Sequence, residues 1–223
     1  MDKTLYLLLS ITLYSCNNEI NNNISFEGKI EYAVSIEYMN DKFKSENDWY
    51  IDQAYGGIAE LYINSNGDLL KQYPESGKSG FEFNSYIVND NNGYSVWRGL
   101  DTIYGHDASI NSLKFITDSI GENEQILGYD CQSIEYYGFE PISQDTVVIK
   151  QFYNNKIYLN PKPYEHCKDF FADEIYVKIN SVPLMTIINY GPYVVKFRAV
   201  KIEQKKIDES IFKLNKNHPI KLS

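Results

Sequence analysis

The chain has 223 residues, of which 43% are hydrophobic, enough for one ordinary domain with a sizeable core. Acidic residues outnumber basic ones, 30 to 21, and the resulting charge of -9 excludes a nucleic-acid face built on phosphate neutralisation. With 20 tyrosines and 11 phenylalanines, the composition leans towards strands, because flat amphipathic rings pack well on a pleated surface.

Residues 1 to 15 carry one lysine, Lys3, then a mostly apolar run from Leu5 to Leu13, and Leu13-Tyr14-Ser15-Cys16 closes the stretch. The run is too short to span a bilayer and has the length of a signal-peptide apolar region. A small residue followed by cysteine resembles the end of a bacterial lipoprotein signal peptide. That resemblance implies export, cleavage before Cys16 and diacylglycerol on its thiol, with the mature protein held at the cell envelope by its lipid. Two or three acyl chains anchor stably where one does not, since each buried methylene contributes roughly 0.8 kcal/mol. Residues 16 to 25, rich in asparagine and without periodicity, then form a flexible tether. No later segment approaches the ~18 consecutive apolar residues of a transmembrane helix.

The domain proper is expected over residues 26 to 213. Ile30, Tyr32, Val34, Ile36 and Tyr38 alternate with polar residues and predict a long half-buried antiparallel strand. Residues 40 to 48 read as a polar loop, and 49 to 54 as either a short helix or a strand. Hairpins follow. Residues 59 to 63 and 69 to 73 flank Asn64-Ser65-Asn66-Gly67-Asp68, in which Asn-Gly supplies a positive φ. Residues 80 to 88 and 94 to 104 flank a turn at 89 to 93, and 113 to 116 and 124 to 127 flank a turn at 118 to 121. Residues 124 to 159 supply two or three more strands. Pro161 and Pro163 break the pattern before a short helix or irregular crossover at 164 to 172. Residues 182 to 189 and 194 to 203 form a last hairpin about Tyr190-Gly191-Pro192, with a bulge near Ala199 where the alternation slips. Asp208 caps a short helical turn, and 214 to 223 read as a loose tail. The expected architecture is mainly β: about eight to eleven antiparallel strands, locally connected, with a few short helices.

This order of signals resembles a family. The opening Phe26-Glu27-Gly28-Lys29-Ile30-Glu31-Tyr32, the central Ile126-Leu127-Gly128-Tyr129-Asp130-Cys131-Gln132, the strand Val147 to Tyr153, Val182-Pro183-Leu184-Met185 before a hairpin and the closing Ile207-Asp208-Glu209-Ser210-Ile211-Phe212 are similar to exported proteins of the GLPGLI type. Those in turn look like the lipoprotein-carrier (LolA-like) architecture. The resemblance implies a curved, incompletely closed antiparallel β-barrel with helices against its concave face.

Candidate chemistry is sparse. Cys131 and Cys167 remain after lipidation, and an even number in an oxidising envelope makes them a candidate disulfide. The alternative is a buried thiol at Cys131 and an exposed one at Cys167. His106, His166 and His218 are scattered without zinc-ligand spacing, so no metal or other cofactor is expected. Nucleophile and phosphate-loop motifs are missing from the sequence, and Asp52, Asp101, Asp107 and Asp173 read as solvated charges rather than a catalytic pair. The chain is therefore expected not to be an enzyme. Its aromatic residues on consecutive strands suggest a trough for an acyl chain, lipid or lipidated peptide, with Tyr136, Phe152, Tyr158 and Ile187 as candidate lining. The other reading has these rings filling a packed core, in a lipoprotein that docks an envelope protein or glycan.

Overall fold

The computed structural model describes residues 24–111, 113–139, 146–215 and 218–222. Cys16, the signal segment and most of the tether lie outside the described residues. β1 (Gly28–Tyr38) forms where the alternation predicts it and occupies the middle of the sheet. On one side it pairs with β2 (Ile58–Ile63), and beyond that follow β3 (Leu69–Gln72), β4 (Phe81–Ile87), β5 (Asn92–Trp97) and β6 (Ile103–Asp107). On its other side stands β12 (Tyr193–Gln204), followed outward by β11 (Met185–Asn189), β10 (Thr146–Tyr153), β9 (Tyr129–Phe139) and β7 (Lys114–Ile120). The fold is thus two antiparallel meanders joined by the long β1–β12 ladder in one curved, unclosed sheet.

Among the described residues thirteen strands form, more than the expected eight to eleven. The surplus comes from short strands that carry no periodicity. β8 (Glu124–Ile126) folds back on β9, and the turn expected at 118 to 121 gives way to a longer β7 that runs through Ile120. The supposed loose tail contains β13 (Ile220–Leu222), which pairs in parallel with β6. Residues 94 to 104, read as one arm, divide into β5 and β6 around Gly99, whose φ of 77° suits glycine.

Other expectations hold. In the Asn64–Asp68 turn, Asn64 Oδ1 accepts from the amides of Asn66 and Asp68 at 3.0 and 2.9 Å, and Gly67 takes φ 90°. The slip in β12 is a bulge: Lys201 faces Glu31 and Ala199 faces Tyr32, leaving Val200 without a partner on β1. Asp208 caps its turn by accepting from the Ser210 amide at 2.8 Å.

Two helices lie on one face of the sheet, here called the inner face. α1 (Asp41–Tyr55) replaces the expected loop. Asn40 starts it by accepting from the Phe43 amide at 3.0 Å, and Gly56 ends it with φ 67°. Only Ile51 and Ala54 are fully buried, so its polar composition hid it from a reading based on apolar period. α2 (Ala172–Ile179) begins where the crossover was expected to end. Ile175 and Ile179, with Phe171 one turn earlier, bury against Ile134, Tyr136, Val147 and Ile149 of β9 and β10. Before α2 the chain turns sharply at Phe170 and Phe171, both with positive φ. His106 on β6 holds that corner through Asp169 at 2.9 Å, and the hydrogen bond raises the imidazole pKa. The opposite, outer face is covered in part by the C-terminal segment, where Ile207 and Phe212 pack on Leu70 of β3. Arg198 of β12 also reaches across it to Glu124 and the Gln125 carbonyl, fastening β8.

The β8–β9 turn offers a test of backbone strain. Leu127 and Gly128 both have positive φ (52° and 81°), the form of a two-residue hairpin that favours Asn-Gly. Leu127 is exposed, so its side chain gives little back for a left-handed backbone that costs roughly 1 kcal/mol. Leu127→Asn should therefore stabilise the fold by about 0.5–1 kcal/mol in urea denaturation. A loss of stability would show that Leu127 contributes a contact that outweighs the strain.

Candidate functional site

Most of the inner face is fully buried, Val195 and Phe197 included, but three of its apolar residues are not. Val34 and Ile36 on β1 and Ile188 on β11 point to the side on which both helices lie, yet each is only half-buried. Aromatic rings surround this region. Tyr55, the last residue of α1, lies 5.9 Å edge-on to Phe197 and 6.1 Å from Tyr73, and Tyr190 stacks on Tyr193 at 5.0 Å. Burial pushes the Tyr55, Tyr176 and Tyr190 phenols up in pKa, although all three side chains keep some accessible surface. These partly buried side chains between the sheet and its helices delimit the candidate recess.

Lys71 belongs to this recess. It faces Leu61 of β2 and Asn84 of β4 across the ladders, which places it on the inner face. Its ammonium stands 4.5 Å from the Phe197 ring centroid and 6.0 Å from that of Tyr32. Among the described residues no carboxylate lies within salt-bridge distance and no hydrogen bond to the ammonium forms. Burial lowers its pKa to about 8. Its neighbour Asn84 donates to the Tyr73 hydroxyl at 3.3 Å, while Asn84 Oδ1 is buried without a partner. The recess therefore contains one uncompensated positive charge and one orphan acceptor on adjacent strands.

The four expected lining residues do not share a surface. Tyr136 faces Ile149 across the ladder, whereas Phe152 faces Ser133; three residues apart on each strand, they point to opposite faces of the sheet. Tyr136, 2% exposed, lies under α2 with its ring 5.9 Å edge-on to Phe171. Phe152, 1% exposed, faces Met185 and belongs to the cluster that holds Ile126 and Cys131. Ile187 faces Lys150 and Lys196, on the outer side with Phe152. Tyr158 lies beyond β10 in an isolated bridge to Ser181. Tyr136 and Phe152 are core residues. Grouping rings by strand without the register produced the error; the alternation that places Tyr32 and Val34 inward could have found the correct face.

The candidate disulfide is likewise corrected. Both cysteines are free and buried. Cys131 shares the outer face with Phe152, two residues from Ser133, while Cys167 sits beside Tyr86 of the inner face, so the sheet lies between them. Burial pushes both thiols up, Cys167 to about 12, which leaves them weak nucleophiles. Among the described residues no group of three or more histidine, cysteine or acidic side chains comes together, and no helix is long and apolar enough to cross a membrane.

The chain is similar to a mycobacterial lipoprotein. The crystal structure of Mycobacterium tuberculosis lipoprotein LppX aligns over 82% of this chain and 89% of its own, with 9% identity and a TM-score of 0.37. No family model matches the sequence, and no curated protein matches it.

Lys71 sets a measurable stability cost. Its pKa is about 8 in the fold against 10.5 in an open chain, so between those values the folded protein binds fewer protons than the unfolded one. Stability thus rises with pH across that window, and below it the full cost of the enclosed charge is present. Lys71→Met should raise Tm by about 2–6 °C at pH 7 and remove this rise between roughly pH 8 and 10. A lower Tm, or an unchanged pH profile, would contradict the enclosure of the ammonium.

Proposed function

We propose that the protein is a non-catalytic lipoprotein of the bacterial cell envelope that holds a hydrophobic ligand, an acyl chain or lipid, in the recess between the inner face and its two helices. The observation that carries this reading is the partial accessibility of Val34, Ile36 and Ile188 on a face that the helices overlie. A core built only for stability would close on those side chains, since interiors pack at crystal-like density. An apolar recess with a few polar groups is the usual form of a small-molecule site. The sequence around Cys16 supports the envelope location, with the membrane reached through the N-terminal lipid.

A second reading, a packed module that docks an envelope protein or glycan, has one observation in its favour. Trp49 (66% exposed) and Tyr50 (54%) project from α1, and aromatic side chains of this kind anchor interfaces.

The two readings separate by native mass spectrometry of the mature lipoprotein, purified gently from envelopes, beside an Ile36→Trp variant that fills the recess without adding charge. The ligand reading predicts an acyl-sized adduct on the wild type that falls by roughly tenfold in the variant while circular dichroism is unchanged. A wild type free of adduct after incubation with several lipid mixtures would contradict it and favour the docking module.

A further inference from the structure

The recess holds more than apolar surface, and its polar groups select a ligand class. Lys71 and Asn84 are directly opposed on adjacent strands, so their Cβ atoms stand about 5 Å apart. Tyr73, two residues after Lys71 and just past the end of β3, is fully buried with its hydroxyl beside the Asn84 amide. That hydroxyl accepts from Asn84 and keeps its own proton to give. Three polar groups therefore converge within an aromatic enclosure formed by Tyr32, Tyr55 and Phe197.

Each group has unfilled capacity. Lys71 has three N–H donors, with the rings of Tyr32 and Phe197 beside its ammonium, and the Tyr73 hydroxyl has a proton to give. Buried polar groups are normally paired, and a charge normally has its counter-charge. Here the missing partner is an anion that accepts from Lys71 and Tyr73. A single ammonium balances one negative charge. A phosphomonoester, near two negative charges at neutral pH, would leave part of its charge uncompensated in the enclosed site.

We propose that Lys71 and Tyr73, the latter with its hydroxyl held as acceptor by the Asn84 amide, form the head-group receptor for a monoanionic amphiphile whose apolar chain fills the rest of the recess. This rests on the ligand-binding reading above and narrows it from hydrophobic molecules in general to those with one anionic head, a fatty-acid carboxylate or a phosphodiester. The ligand enters head inward. Its anion meets the ammonium, and its chain lies along the half-buried Val34, Ile36 and Ile188.

The test is isothermal titration of the full chain with laurate, dodecanol and lauroyl-lysophosphatidylglycerol, on the wild type, on Lys71→Met and on Tyr73→Phe. Laurate and dodecanol share a chain length and differ in head charge. The proposal predicts that the wild type binds laurate at least roughly tenfold more tightly than dodecanol. Lys71→Met abolishes that preference, bringing the laurate and dodecanol affinities to within about twofold of each other. Tyr73→Phe, which keeps the ring, weakens laurate by about threefold and gives an independent readout should the lysine variant not fold. Preference for the lysophospholipid over laurate assigns the head as a phosphodiester; the reverse assigns a carboxylate. Equal binding of laurate and dodecanol by the wild type overturns the receptor and leaves a plain apolar recess. Failure of all three probes to bind overturns the recess reading as well.

Discussion

The pairing of β1 with β12 is the constraint on which the rest depends. Eleven residues of β1 run against β12 from Gly28–Gln204 to Tyr38–Tyr193, joining segments about 170 positions apart in sequence. Among the described residues the other antiparallel ladders link strands consecutive or next but one in chain order, so this seam is the long ladder that joins the two meanders. The bulge at Val200 lets the seam bend and keeps the alternation of both strands in phase on either side. Tyr32, Val34 and Phe197 consequently share the inner face, and the ring of Phe197 stands next to the Lys71 ammonium. The candidate site is assembled by this long-range ladder, from residues on strands of both meanders.

What the sequence made legible was local. The β1 alternation, the Asn-Gly hairpin at 64 to 68, the Gly191 turn and the bulge in β12 each depend on a few neighbouring residues whose stereochemistry has one good solution. The curved, unclosed sheet agrees with the architecture that the family resemblance implied. Elements stabilised from outside were not legible. α1 has charged residues around most of its circumference and is held by its caps and by Tyr55. β13 is a three-residue strand that forms by pairing with the edge of β6. Phe170 and Phe171 turn with positive φ because contacts with Ala108, Cys167 and His106 fix the chain on both sides, not because their own side chains favour it.

The candidate site was hidden for a related reason. In a strand with one wet face, a lysine marks the solvent side. β3 is covered on both faces, by Phe212 and Ile207 over Leu70 and by the aromatic recess over Lys71, so alternation along Leu69-Leu70-Lys71-Gln72 says nothing about which side is wet. Conversely, Tyr136 and Phe152 looked alike in sequence, and only the register shows that they face opposite ways. An enclosed lysine without a carboxylate within salt-bridge distance is a standing destabilisation.

The most direct measurement is the titration of Lys71 itself, by NMR of its side-chain 13Cε and 15Nζ resonances in the ligand-free protein, assigned with the Lys71→Met variant. An ammonium enclosed by Tyr32 and Phe197 titrates near pH 8. A midpoint near the ordinary 10.5 would mean that Lys71 reaches bulk water, and the charged recess at the centre of this account would not exist.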